Sequence, residues 1–285
     1  MGSYAVTGSA SGMGNAVAER LQELGHTVFR VDIKDADIIA DLSNAAARRT
    51  AADAVLEACG GRLDGAVLAA GLGPTPGAER MITEVNYFGV VELLQAWRPA
   101  LAATGSAKVV VFSSNSTTTV PAVPHRAVRA LLAGEPEKAL RAYRIFGRNA
   151  PPMAYAASKI AVSHWVRRHA VTAGWAGAGI RLNALAPGAI MTPMLERQLA
   201  TPAEAEHIHR FPVPIGGFGD AGALADWVVF MLSPAADFLC GSIVFVDGGS
   251  DAYFRADDWP QPVPVWRVLS YLRRTRQFRP FERNR

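Results

Sequence analysis

The sequence predicts an α/β fold: a doubly wound parallel sheet with helices on both faces, in a single domain. Three observations predict it. Short apolar runs alternate with segments of helical periodicity, the order expected of βαβ units. The runs are apolar nearly throughout, as in strands covered on both faces. A glycine-rich loop follows the first run and opens the first helix.

Tyr4-Ala5-Val6 reads as the first strand, and Ala16 to Leu24 as a helix with Val17, Leu21 and Leu24 on one face. Thr27 to Val31 is the next strand and Ala45 to Ala58 the next helix. Strand 65–69 leads to a helix around Val90 to Leu101, then to strand Val109 to Phe112. A helix from about Met153 to Thr172 precedes strand Arg181 to Leu185. Helix Ala223 to Leu232 and strand Ser242 to Val246 close the pattern. The catalytic domain is placed at 1–258. Two segments break its rhythm. Residues 115–152 form an insertion with a helical patch of Val128, Leu131, Leu132, Leu140 and Tyr143, too long for a plain connection. Residues 259–285 form a basic extension that opens on Pro260, Pro262 and Pro264.

Composition excludes several classes. Half of the 285 residues are hydrophobic and 19% are charged, so a disordered or collagen-like chain is ruled out. Cys59 and Cys240 are too few for a disulfide framework or a cysteine zinc site. No run of about 18 apolar residues exists to span a membrane, and Met1-Gly2-Ser3-Tyr4 lacks the charged start of an export signal, so a cytoplasmic protein is expected. Residues 251–285 hold eight arginines against four acids, which accounts for the whole net charge of +4. Nucleic-acid binding by the body of the protein is therefore not expected, and the positive charge belongs to the tail. That tail has the composition of a membrane-surface segment, but a terminal extension more often packs on its own protein or a sister subunit, and such packing is expected here. His207 and His209 are two apart and no acid or cysteine completes a set, so no metal is expected.

Thr7-Gly8-Ser9-Ala10-Ser11-Gly12-Met13-Gly14 lies between the first strand and first helix. Glycines there let the backbone turn tightly and approach a pyrophosphate, and the helix N-terminus offers N–H groups to it. Asp32 ends the second strand 18 residues beyond Gly14, where a carboxylate takes ribose hydroxyls and repels a 2′-phosphate. This context outweighs a merely structural turn and makes the fold Rossmann-type. It favours NAD over NADP, although Arg30 and Lys34 flank Asp32 and are able to serve a 2′-phosphate.

Tyr155 and Lys159 share one helix face by their i,i+4 spacing. A tyrosine with pKa about 10 is a poor base at neutral pH, and a neighbouring ammonium favours its phenolate. Ser114, after the Val109–Phe112 strand, stands where it can hydrogen-bond a substrate oxygen. In isolation such a Tyr/Lys pair is usually a surface pair; beside a dinucleotide loop it suits hydride transfer at a carbinol or carbonyl carbon. Lysine is rare here, at 34, 108, 138 and 159 only, which makes the choice of lysine at 159 more telling.

Thr-Gly-x-x-x-Gly-x-Gly followed by Tyr-x-x-x-Lys resembles the signature of the short-chain dehydrogenases/reductases, and the resemblance runs over residues 2–250. It implies that Tyr155 is the acid/base, that Lys159 lowers its pKa and binds the nicotinamide ribose, that Ser114 rather than Ser113 orients the substrate, and that Asn86 supports a proton relay. It implies NAD contacts from Gly8, Ser11, Gly12, Met13 and Gly14, from Asp32 and Ile33, and from Asp41 and Leu42 at the adenine. Ala70 and Gly71, Pro187, Gly188 and Ile190, and Thr192 complete them with Tyr155 and Lys159. Asp247-Gly248-Gly249 matches the end of the family's last strand. One departure stands out: Leu68-Ala69-Ala70-Gly71 replaces the family's Asn-Asn-Ala-Gly, which removes a side-chain network.

Finer features resemble the bacterial 3α-hydroxysteroid dehydrogenase/carbonyl reductase group. These are the run from Asp32 through Asp41-Leu42-Ser43, the Ala70-Gly71-Leu72-Gly73-Pro74 loop, Asn86-Tyr87-Phe88-Gly89, and the insertion that places Tyr155 41 residues after Ser114. The resemblance implies a small hydrophobic alcohol or ketone substrate, steroid-like, and a homodimer in place of the family's common homotetramer. Met191, Met194 and Leu195, with Leu199, are candidates to line an apolar pocket, or to pack their own flap. Two other readings compete. A 3-oxoacyl thioester reductase prefers NADPH, which Asp32 opposes, and a basic docking patch, for which only Arg167-Arg168 speaks. A non-catalytic NAD sensor has no need of Tyr155 and Lys159, and this chain keeps both.

Overall fold

In the computed structural model, which describes residues 1–281 apart from the side chains at 203, 204 and 207, seven parallel strands form one sheet. They are β1 (Ser3–Thr7), β2 (Thr27–Asp32), β3 (Ile38–Ile39), β4 (Gly65–Leu68), β5 (Lys108–Phe112), β6 (Arg181–Pro187) and β7 (Ile243–Val246). Their order is β3-β2-β1-β4-β5-β6-β7. The chain winds outward from β1 to β3 and returns to lay β4 on the other side of β1, with Val6 level with Arg30 and Val67. This reversal opens a crevice beyond the carboxyl ends of β1 and β4, where doubly wound sheets bind ligands.

Alternate residues of the same strands feed two cores. Ala5, Ala66, Leu68, Val109 and Val111 face α2 (Ala45–Ala58), α4 (Gly89–Ala102) and α8 (Ala150–His169), where Val55, Leu93, Trp97, Val162 and Val166 are buried. Tyr4, Val6, Val67, Val110 and Phe112 face α1 (Gly12–Glu23) and α11 (Ala221–Leu232) through Val17, Leu21, Leu224, Val228 and Met231. Each such apolar side chain stabilises the fold by about 1.5–3 kcal/mol. The indole N–H of buried Trp97 donates to the Ala52 carbonyl at 3.3 Å, so burial leaves no orphan there.

Two helix starts fall earlier than expected for local reasons. Helix α1 begins at Gly12, capped by extended Ser11, because the loop glycines form its first turn. Helix α8 begins at Ala150, with Pro151 in the first turn, where proline sacrifices no bonded N–H. Before α4 come α3 (Glu79–Thr83) and one π-turn over Glu84–Phe88. The insertion holds α5 (Ser116–Thr119), α6 (His125–Leu132) and α7 (Pro136–Arg144). Helix α6 buries Ala127, Val128 and Leu131, and α7 buries Ala139 and Tyr143; both pack on α8, and α7 also meets α3. After β6, α9 (Pro193–Leu199) and α10 (Pro202–Arg210) form a flap. Helix α12 (Ser250–Phe254) follows β7 and packs on α5.

Of the two expected packing partners, its own chain takes little of the extension: helix α13 (Val268–Gln277) has no buried residue. The closest approach nearby is the Phe281 ring, which lies beside Gly177. The physical reason is composition: α13 carries Arg273, Arg274 and Arg276 among only four large apolar residues, Val268, Leu269, Tyr271 and Leu272, which do not share one face. Residues 282–285 of the extension lie outside the described residues. No helix among the described residues is long and apolar enough to cross a membrane.

Candidate active site

The chemistry-bearing residues all follow carboxyl ends of strands. After β1, Gly8 and Gly12 take positive φ of 70° and 57°, and the Gly8 N–H donates to the Val31 carbonyl at 2.9 Å. The turn is too tight for side chains: a Cβ on Gly14 would stand 2.1 Å from the Gly8 carbonyl oxygen, and one on Gly8 would stand 2.6 Å from the Ala70 nitrogen. Asp32, at the end of β2, accepts the Ala10 N–H at 2.9 Å and so sits against the loop. The Met13 side chain turns inward onto the α1–α11 core, which leaves its backbone toward the crevice. Ile33 and Asp41 are exposed beside Asp32; Leu42 is buried.

The two flanking cations are occupied. Arg30 donates to the Ser9 carbonyl and to Asn15 Oδ1, which fastens the loop from beneath. Lys34 pairs with Asp35 at 3.7 Å. Arg30 is thereby held away from a 2′-phosphate, while Lys34 is largely exposed and held only by a surface pair.

Beyond β4, the missing asparagines are partly replaced. The Ala70 N–H donates to Thr7 Oγ1 at 3.2 Å. Asn86, wholly buried in the π-turn, grips Leu72 twice: its Oδ1 accepts the Leu72 N–H at 2.8 Å and its Nδ2 donates to the Leu72 carbonyl at 3.0 Å. A π-turn is a frequent device for aiming such a side chain.

Beyond β5 the two serines diverge. Ser113 Oγ lies 2.7 Å from Ser163 Oγ and points into α8. Ser114 Oγ accepts the Ser116 N–H at 3.1 Å and lies near enough to the Tyr155 hydroxyl to favour its phenolate. Lys159 is 4% exposed and its Nζ donates to the Phe112 carbonyl at 2.8 Å, 5.9 Å from the centre of the Tyr155 ring. Burial lowers the Lys159 pKa to about 8. Tyr155 is shifted upward, because burial disfavours its phenolate more than Ser114 favours it. Lys159 is not among the causes of that shift; its Nζ is directed at the Phe112 carbonyl.

Beyond β6, the Gly188 N–H donates to the Val246 carbonyl and a Cβ there would meet Asp247 at 2.7 Å, so the strand ends are drawn together. The Pro187 carbonyl accepts from the Asn115 N–H, and Ile190 is buried and bridges to Gly219. Thr192 caps α9 through Oγ1 and lies over Gly12: a Cβ on Gly12 would come within 3.4 Å of Thr192 Cγ2. Met194 lies over Gly73, its Sδ 3.0 Å from where a Cβ would be. Met191 and Met194 are exposed by 38% and 37%, Leu195 is buried and Leu199 is half-buried. The flap thus packs by Leu195 and offers two methionines to a ligand.

A dinucleotide fits these groups. Gly71 lies directly beside the catalytic candidates, since a Cβ there would stand 3.4 Å from Asn86 Oδ1 and 3.6 Å from Lys159 Nζ. The buried Ser9 hydroxyl in the loop has no partner among the described residues. Asp32 supplies the ribose acceptor. Among the described residues no group of three His, Cys, Asp or Glu is placed to hold a metal, and the side chain of His207 lies outside them.

One participant was missed from sequence. Arg48 of α2 is 3% exposed; it donates to the Leu42 carbonyl at 2.9 Å, to Glu84 at 3.0 Å and to Glu92 at 2.8 Å. It ties the segment after β3 to the π-turn that holds Asn86. Its signal was positional: Arg48 falls on the same stripe as Ala52 and Val55, the buried face of α2.

Fold and site together define an oxidoreductase of the doubly wound, dinucleotide-binding class. Residues 4–126 match the short chain dehydrogenase family model, and residues 140–251 match that of the enoyl-(acyl carrier protein) reductases, so residues beyond 251 extend past the family match. The chain is 39% identical over 250 residues to the 3-alpha-hydroxysteroid dehydrogenase/carbonyl reductase of Comamonas testosteroni, covering 88% of this chain and 96% of that one. It is 30% identical to the galactitol 2-dehydrogenase (L-tagatose-forming) of Cereibacter sphaeroides, covering 86% and 93%. The crystal structure of the 3-alpha-hydroxysteroid dehydrogenase of Pseudomonas sp. B-0831 complexed with NADH superposes with a TM-score of 0.83 at 42% identity, covering 90% of this chain and 99% of that one. The chain belongs to the short-chain dehydrogenase/reductase family.

Proposed function

We propose that the protein is a cytoplasmic NAD-dependent dehydrogenase that interconverts a secondary alcohol and a ketone, with a 3α-hydroxysteroid or another hydrophobic ring alcohol as substrate. The observation that carries the reading is the neighbouring Ser114 and Tyr155 hydroxyls with buried Lys159 beside them, opposite a loop backed by Asp32. The NADH-bound relative supports the choice of cofactor, and the occupied Arg30 supports NAD against NADP.

Bound NAD accepts or returns a hydride at its nicotinamide. Everything else falls to the chain. Ser114 Oγ holds the substrate oxygen beside the Tyr155 hydroxyl, and Tyr155 moves the proton: from the alcohol in oxidation, to the ketone oxygen in reduction. Its raised pKa keeps it protonated at neutral pH, the form that reduction needs. Lys159 supplies positive charge beneath the site, and Asn86 fixes the loop at Leu72 over that lysine. Met191 and Met194 present adaptable apolar surface to the substrate, which supports a hydrophobic ring. Trp227 and Phe230 on α11, with Phe238 in the turn after it, are exposed near edge strand β7 and support a homodimer.

Nicotinamide absorbance tests the reading, with NAD and NADP offered in parallel to a panel of 3α- and 3β-hydroxysteroids and simple secondary alcohols. NAD-linked oxidation of a 3α-hydroxysteroid, lost in Tyr155→Phe, is the expected result. Turnover of other alcohols alone would overturn the steroid assignment, and NADP-linked turnover the cofactor. NAD binding without any turnover would overturn the enzymatic reading of the site.

A further inference from the structure

We propose that the C-terminal extension is a docking element that holds the protein on an anionic lipid surface. From Trp259 to Phe281 the chain carries five arginines and no acid. In α13, Val268, Tyr271 and Leu272 follow i, i+3, i+4 spacing and form one apolar stripe, while Leu269 lies with Arg273 and Arg276 on the adjoining face and Arg274 stands opposite it. Among the described residues α13 buries none: Val268, Tyr271 and Leu272 stay 41–55% exposed, and Trp266 and Leu269 beside the stripe are each 81% exposed.

Charge decides what covers it. Residues 1–250 balance to zero, so the body offers this segment no net attraction. Pairing with the same segment of a second copy would gather ten arginines with no acid among them. A nucleic acid would satisfy the arginines but leave the Val268–Tyr271–Leu272 stripe in water. An interface of anionic headgroups over acyl chains satisfies both: indoles and the apolar stripe enter the boundary, and arginine stems extend from it toward phosphates. The extension leaves the body after α12, which packs on α5 immediately beyond Ser114. Docking therefore holds the rim of the cleft near the lipid. The inference rests on the tail alone and stands whether or not the proposed reaction is correct.

The test is flotation of the full-length protein with vesicles of phosphatidylcholine, or of phosphatidylcholine with about a third phosphatidylglycerol. Each arginine near such a surface is worth about fivefold in partitioning, so Arg273→Gln with Arg274→Gln is expected to weaken binding about 25-fold. Trp266→Ala with Leu272→Ala is expected to weaken it at low salt as well. Salt near 1 M, where screening acts within about 3 Å, is expected to release the wild type. Unchanged thermal unfolding shows that the variants stay folded, as expected of exposed sites. Absence of flotation with anionic vesicles, equal flotation with phosphatidylcholine alone, or indifference to the arginine pair would each overturn the proposal. A change of oligomer size in the variants without vesicle binding would assign the tail to a second copy instead, and retention of nucleic acid in preference to vesicles would assign it there.

Discussion

Replacing Lys159 with methionine separates what the buried ammonium does for chemistry from what it costs the fold. Burial brings its pKa from 10.5 to about 8. At 1.36 kcal/mol per unit, the charged side chain destabilises the folded state by about 3 kcal/mol near pH 7. Methionine has a similar length and no charge, but it leaves the Phe112 carbonyl without its partner, a loss of about 1–3 kcal/mol. The variant is therefore expected to equal the wild type in stability at pH 7, or to exceed it by up to about 2 kcal/mol, while turnover falls by about 100-fold or more. The pH dependence carries the sharper test. A base with a depressed folded pKa is protonated more readily in the unfolded chain between about pH 8 and 10.5, so wild-type stability rises with pH across that window. The variant lacks this term, and its advantage is expected to shrink by about 1.5 kcal/mol between pH 8 and 9.5. Tyr155 is common to both proteins and, with its raised pKa, does not titrate in that range. Urea unfolding at constant ionic strength, followed by tryptophan fluorescence at both pH values, measures the difference. A variant several kcal/mol less stable at pH 7, or a gap independent of pH, would refute the reasoning.

Other perturbations act on single parts. Arg48→Met leaves half-buried Glu84 and the Leu42 carbonyl without their cation, and a loss of about 1–3 kcal/mol is expected in urea unfolding, with weaker cofactor binding. Asp32→Ser removes the carboxylate that holds the Ala10 N–H and repels a 2′-phosphate; KM for NAD is expected to rise about tenfold and that for NADP to fall. Gly14→Ala places a methyl against the Gly8 carbonyl, and calorimetry is expected to find no measurable NAD binding. For the forward and reverse rates, the raised Tyr155 pKa predicts that alcohol oxidation climbs with pH through the alkaline range while ketone reduction declines, each read as kcat against pH.

Much of the fold was legible because its strands are short apolar runs with clear punctuation. Helix α2 matches its expected span, and β5 and β6 differ from theirs by a residue or two. The edge strand β3 was missed since Ile38-Ile39 is too short to show a period. The flap helices α9 and α10 were missed because they bury little, although Thr192-Pro193 and Thr201-Pro202 each place a cap residue before proline, a start signal in plain view. In the insertion, Gly134-Glu135-Pro136 splits one helical patch into α6 and α7. At the site, the Tyr155–Lys159 spacing and the glycine loop are written locally. The Phe112 carbonyl, the Arg30 clasp and the Arg48 cluster are not, for each joins residues 15 to 47 apart whose meeting depends on the folded sheet.

The flap that lies over both Gly12 and Gly73 has a kinetic meaning. One short helix rests on the cofactor half of the crevice through Thr192 and on the alcohol half through Met194. Because the two contacts belong to one short helix, the two halves of the crevice are not independent: a change at Met194 is expected to alter KM for the dinucleotide as well as for the alcohol, read from initial rates with each varied in turn.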